Sequence, residues 1–202
     1  MKFRFLVVSL IVASRVVAGC ANDATRDANA KVPSGTAVTA RGETNFASEY
    51  AGFSIYFPTK PSEKRTPGQS QWGRYDTYVF QSETKPVSYI VVVRTNPPLL
   101  DKSNAQSLID GLEKSFTSSP GSRVQKRRDI SLNGAASNNA ETEIVPGREI
   151  VAEMRNGAIA ARVRIFSSPR ASYQIVAVGN KKEFAGQNAQ IEKVLNSFRL
   201  TT

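Results

Sequence analysis

The apolar pattern of this chain predicts an α+β domain, a largely antiparallel β-sheet of about six to seven strands with two main helices packed on it. Three observations carry that reading. Short apolar runs, alternating or continuous, recur between turn-forming residues from Phe53 to Val178. Two segments, around Leu108–Phe116 and Ile191–Phe198, instead space their apolar residues by three and four, the period of an amphipathic helix. Asn156 and Gly157 sit between two runs whose side chains match across a tight turn.

In chain order, Phe53, Ile55 and Phe57 alternate with Ser54 and Tyr56 before Pro58, a strand. Tyr78 and Phe80 share one parity of a second strand near Tyr75–Gln81. Val87–Arg94 holds Tyr89, Ile90, Val91, Val92 and Val93 without a polar break, which predicts a strand covered on both faces. Asp101 or Ser103 is placed to cap a helix whose inner face is Ala105, Leu108, Ile109, Leu112 and Phe116, and Pro120-Gly121 ends it. Val124, Ile130 and Leu132 share a parity in a further strand. Lys126 and Arg128 lie on that same parity, as on an edge strand protected by charge. Residues 133–143 read as an exposed loop.

The Asn156-Gly157 turn pairs Met154 with Ile159, Ala152 with Ala161 and Ile150 with Val163. It also sets Glu149 opposite Arg164, with Glu153 diagonal to Arg162. One turn thus generates an apolar face and a charge-matched face. Tyr173–Val178 is another strand, and a helix carrying Ile191, Val194, Leu195 and Phe198 closes the chain.

The N-terminus reads as targeting, not fold. Lys2 and Arg4 precede the apolar run Phe5–Ala13, which as a helix is roughly 14 Å long against a hydrocarbon core of about 30 Å. It is too short for a stable span and fits a signal peptide over residues 1–19. Val17-Ala18-Gly19-Cys20 then resembles a bacterial lipobox, so Cys20 is expected to be lipidated, by palmitate or a similar acyl chain, and to become the mature N-terminus. Arg15, between run and lipobox, departs from the usual uncharged pattern. By resemblance to Gram-negative sorting, Ala21 after the cysteine implies the periplasmic face of the outer membrane. Residues 20–49 are expected to be the lipidated cysteine and a flexible tether, because Val32, Val38 and Phe46 are their only large apolar residues. Residues 50–202 form the globular domain. The formal charge of +10 becomes +7 once Lys2, Arg4 and Arg15 leave with the signal, and that surplus belongs to the domain.

Several short motifs resemble the PsbP-like superfamily, which shares its fold with Mog-type Ran-binding factors. They are Phe53–Pro58 followed by a basic, proline-marked stretch; Pro146-Gly147-Arg148-Glu149-Ile150; Tyr173–Gly179; and the closing Leu195-Asn196-Ser197-Phe198-Arg199-Leu200. The resemblance spans most of residues 50–202 and implies an α/β/α sandwich with binding or assembly roles. A PsbP-related accessory of a photosynthetic complex is a narrower version that needs a cyanobacterial source. The Tyr-rich first strand of PsbP itself is met only by Tyr56, Phe57 and Pro58.

Composition removes most catalytic options. The chain has no His and one Cys, which excludes intramolecular disulfides, His-based triads and most zinc, haem or iron–sulfur sites. No cofactor, metal or catalytic residue is expected. The rival reading, an exported hydrolase, would rest on Ser82 and Lys85 in a Ser-x-x-Lys spacing or on Glu141 and Glu143 as paired carboxylates. The first needs a helix start, whereas Pro86 and flanking strands put it in a turn; the second also fits a solvated loop. Arg123, Lys126, Arg127 and Arg128 are the densest basic run, either a docking patch for an anionic partner or a solubilised edge strand. Trp72 reads equally as core plug or exposed contact. The expected function is a non-enzymatic, membrane-anchored binding or assembly module. It would meet the membrane through Cys20 and a protein or anionic envelope component through the domain. No nucleic-acid site is expected, because the aromatics fall at core parities.

Overall fold

The computed structural model describes residues 35–38, 44–96, 104–133 and 144–201. Its strands are β1 (Gly35–Val38), β2 (Thr44–Ser48), β3 (Phe53–Phe57), β4 (Ser62–Ser70), β5 (Gly73–Glu83) and β6 (Val87–Thr95). Helix α1 (Ala105–Thr117) leads to β7 (Arg123–Asn133), β8 (Ile144–Met154), β9 (Ile159–Ser167) and β10 (Ala171–Asn180). The chain then forms the short α2 (Lys181–Phe184), a 3₁₀ turn (Ala185–Gln187), α3 (Asn188–Ser197) and β11 (Arg199–Leu200). A seven-stranded antiparallel sheet runs β4-β5-β6-β10-β9-β8-β7, and a four-stranded sheet runs β1-β2-β3-β11. Among the described residues no helix is long and apolar enough to cross a membrane.

The large sheet is buried on both faces at its centre. On β6, Tyr89, Val91 and Val93 face one layer while Ile90 and Val92 face the other, and all five are buried, which is why that run carries no polar break. One face packs against α1, where Ile109 and Phe116 cover Ile90, Val92, Ile150, Ala161, Val163 and Val176. The other face is aromatic. Phe46, Phe53, Phe57, Phe80, Phe166 and Phe198 interlock there, with Phe166 and Phe198 stacked at 5.8 Å. Each such ring contributes on the order of 2–3 kcal/mol by burial. Gly147 belongs to this packing, since a Cβ there would lie 2.3 Å from the Phe166 ring. The α+β sandwich predicted from the apolar pattern is therefore present, but its second layer is α3 together with the small sheet. β3 belongs to that small sheet rather than to the main one.

Three readings need correction, and a fourth falls outside the described residues. The segment 20–49, read as a tether, contains β1 and β2, and Phe46 is 3 % exposed in the aromatic layer. A single Phe in a polar stretch supplies no period, yet one inward ring and backbone pairing to β3 suffice to order it. β4 went unpredicted because nearly all of it is exposed; it is an outer strand held by its ladder to β5, with Pro67 tolerated at the edge. On β7 the register shifts between Val124 and Lys126. Val124 thereby packs on the α1 side while Ile130 and Leu132 pack on the aromatic side, so the three do not share a face. The first described residue of the α1 region is Asn104, which makes no side-chain cap, and Asp101 and Ser103 lie outside the described residues.

The hairpin register is as the turn predicts: Met154 faces Ile159, Ala152 faces Ala161, Ile150 faces Val163 and Glu149 faces Arg164. Asn156 and Gly157 have φ of 55° and 86°, and Ala158 N–H donates to the Arg155 carbonyl at 3.2 Å, closing the turn. Arg155, at φ 51°, also adopts the left-handed conformation.

Candidate docking surface on the edge strand

β7 is an edge of the large sheet, and its four basic residues separate into two kinds. Beyond the bulge, successive side chains point to opposite faces. Arg127 turns to the α1 side and pairs with Glu113 of that helix. Arg128 turns to the other side and lies 3.0 Å from a carboxylate oxygen of Glu149. Arg123 and Lys126 are exposed and have no ion pair among the described residues. Within this exposed run, Arg127 and Arg128 reach buried carboxylates with side chains still about half in solvent, whereas Arg123 and Lys126 have no such pairing among the described residues.

Glu149 and Glu113 explain the division. Both are buried, at 4 % exposure, and a buried carboxylate demands cations. Glu149 accepts from Arg164 Nε at 2.7 Å and from Arg162 Nη2 at 3.0 Å, with Arg128 alongside. Burial alone would raise its carboxyl, but the hydrogen bonds from Arg164, Arg162 and Arg128 outweigh that and bring it down to about 2. Arg162 also donates to Glu192 of α3 at 2.5 Å, and Arg164 donates to the Leu195 carbonyl and to Asn196 Oδ1, each at 2.8 Å. This cluster clamps α3 to β7, β8 and β9.

On the opposite face Arg148 donates to Glu113 and Asp110 of α1, each at 2.7 Å, and to Asp129 at 3.0 Å. Glu113 is the largest cause of a raised guanidinium pKa there, acting against burial. Arg164 meets Glu149 as the hairpin register predicts. Arg162 does not meet Glu153; its partners are Glu149 and Glu192, while Glu153 is taken by Lys181 Nζ at 2.6 Å.

Two exposed cations near Arg123 and Lys126 were not foreseen. Arg123 lies opposite Glu153 in the ladder, Arg155 follows in the β8–β9 turn, and Lys182 follows Asn180, whose backbone pairs with Ile159. All four therefore border the same end of the sheet. The Asn156-Gly157 turn signalled the position of Arg155; nothing local in the sequence brings Lys182 beside it.

The remaining candidates separate cleanly. Ser82 is a buried strand residue whose hydroxyl lies 2.8 Å from Thr59 Oγ1 and accepts from Thr59 N–H at 3.2 Å, while Lys85 is exposed in the β5–β6 turn. No helix start brings the two together. Trp72 is exposed, in the loop joining β4 and β5. Cys20, Glu141 and Glu143 lie outside the described residues. Among the described residues no group of three His, Cys, Asp or Glu could hold a metal ion. Tyr89 is a buried phenol that burial pushes up to about 12; it lies in the aromatic layer.

No family model matches the chain, and no curated protein matches it in sequence. In three dimensions it is similar to cyanobacterial PsbP (CyanoP) from Synechocystis, with a TM-score of 0.50 and 11 % identity over 81 % of this chain and 95 % of that one. It is also matched to LpqN of Mycobacterium tuberculosis, involved in cell envelope biogenesis, with a TM-score of 0.42 and 10 % identity over 70 % and 86 % of the two chains. A Pseudomonas aeruginosa protein of unknown function gives a TM-score of 0.39 and 13 % identity over 73 % and 90 %. The first likeness shows a PsbP-like fold, in agreement with the resemblance carried by the short motifs. Identity this low speaks for the fold alone.

Proposed function

We propose that this chain is a non-enzymatic binding or assembly module, lipid-anchored through Cys20 on an extracytoplasmic membrane face. It takes an anionic partner at the sheet end bordered by Arg123, Lys126, Arg155 and Lys182. The observation that carries this reading is the division of the basic run. Arg127 and Arg128, though exposed, have their charge matched by buried carboxylates, whereas Arg123 and Lys126 have no ion pair among the described residues and are joined by two exposed cations from other elements. Exposed cations gathered at one end raise the local concentration of an anionic partner and steer its approach. The PsbP-like fold is compatible with such a role, and the ionisable clusters inside the domain bind its layers together rather than converge on a cleft. The signal, the lipobox and Cys20 supply the location.

Cys20→Ala is expected to release the protein from membranes on fractionation; unchanged retention would return Cys20 to an ordinary thiol. Charge reversal at Arg123 and Lys126 is expected to weaken salt-sensitive capture of the partner cross-linked in native membranes, leaving the fold intact. Capture that ignores both salt and reversal would return these residues to a merely solubilising role.

A further inference from the structure

Among the described residues two large apolar side chains are exposed, Trp72 at 42 % and Ile144 at 69 %, and both lie at the same end of the large sheet. The strand register establishes this. β5 begins there at Gly73, β6 ends there at Thr95, β10 begins at Ala171 opposite Thr95, and β8 begins at Ile144. The β6 ladder with β5 stops at Thr77 and Arg94, while β4 and β5 stay paired through Ser70 and Gly73. The hairpin therefore continues for four residue pairs, roughly 13 Å, past the last β5–β6 pair. Trp72 sits at its tip, where its N–H donates to Ser70 Oγ at 3.2 Å.

The first described strand, β1, begins on the side of the small sheet nearer this end. Gly35 pairs with Ala47, and Ala47 pairs with Ser54, next to the β2–β3 turn. That turn packs on the sheet at the row of Val93, two residues before β6 ends: the Tyr50 ring is 4.9 Å from that of Tyr78, and a Cβ on Gly52 would lie 3.4 Å from the Tyr173 hydroxyl, both tyrosines pairing with Val93. Cys20 precedes Gly35 by about fifteen residues, which span at most about 50 Å even when fully extended.

We infer that this end of the domain rests on the phospholipid surface to which Cys20 is attached, with Trp72 seated at the headgroup level. The inference depends on the lipid anchor proposed above. Tryptophan suits that depth because its ring is apolar and its indole N–H finds polar partners among headgroups. Arg74 and Arg170 are exposed at the same end, and the Arg94 guanidinium lies 3.9 Å from the Tyr75 ring centre; all three are donors for lipid phosphates. The exposed apolar tip, rather than net charge, is the signature of this end. The tether supplies a high local concentration, which lets one aromatic contact matter. With this end on the lipid, Arg123, Arg155 and Lys182 face away from it, into the compartment where a partner would arrive.

The single tryptophan of the chain makes the test direct, because all indole emission comes from Trp72. The full chain is joined through its Cys20 thiol to a maleimide-bearing lipid in vesicles of phosphatidylcholine and phosphatidylglycerol, so that tethering does not depend on processing in a cell. Trp72 emission is expected to shift to the blue and to be quenched by lipids brominated on their acyl chains. In the double variant Trp72→Phe, Lys182→Trp, whose sole indole stands at the opposite end, quenching is expected to be weak. Unshifted, unquenched Trp72 emission on the tethered protein overturns the inference, as does equal quenching at both ends. Either result leaves the membrane-release test of Cys20→Ala untouched, so the two failures can be told apart.

Discussion

Arg148 and Glu149 are neighbours in sequence and central members of two charge clusters on opposite faces of one sheet. Glu149 looks into the aromatic layer, where Arg162 and Arg164 are themselves largely covered. Arg148 looks towards α1, and two of its three carboxylates, Asp110 and Asp129, are mostly in solvent. Each cluster fastens one helix to the β7–β9 side of the sheet. They differ in how much charge water can reclaim when a member is lost. A covered cluster specifies the packing and fails hard, whereas an open one adds adhesion and fails softly.

The largest expected effect comes from breaking the covered cluster. Glu149→Ala leaves Arg162 and Arg164, side by side on one face of β9, with Glu192 as their one remaining carboxylate, and should cost about 3–5 kcal/mol in a urea titration. Arg148→Met should cost less, about 2 kcal/mol, because Glu113 keeps Arg127 and the two exposed aspartates are rehydrated. An Arg148→Met loss as large as that of Glu149→Ala would remove the contrast between the faces.

Acid tests the covered cluster without a substitution. The Glu149 carboxyl lies at about 2 in the fold, below its ordinary 4.5. Its contribution is therefore fully present above pH 4.5 and is lost as pH falls through about 2. A shift of that size corresponds to at most about 3 kcal/mol. Stability of the parent chain measured between these limits should fall, and the Glu149→Gln variant should show a flatter profile over the same window.

Local signals made much of the fold legible in the chain. The continuous run Tyr89–Val93 marks a doubly covered strand, the three-and-four spacing of Ile191, Val194 and Leu195 marks a helix face, and Asn156-Gly157 marks a register that the structure reproduces pair for pair. The surface site was half legible. Arg123, Lys126, Arg127 and Arg128 stand out by composition, but which of them are ion-paired depends on Glu113 and Glu149, the former ten residues from the nearest of them and on another element. A bulge near Gln125 then reassigns the faces, and a bulge has no fixed composition. Phe46 and β4 were illegible for a related reason: each is ordered by a partner strand rather than by its own period.

What the sequence by itself determined is the chemistry that is missing and the character of each local element, because His count, apolar period and turn residues act over a few positions. Tertiary structure alone decided which charges are paired with buried carboxylates, where Arg162 finds its own, and that Trp72 and Ile144 share one end of the large sheet. Those facts depend on register and layer packing. They are set by contacts between residues tens of positions apart, where no local pattern in the chain records them.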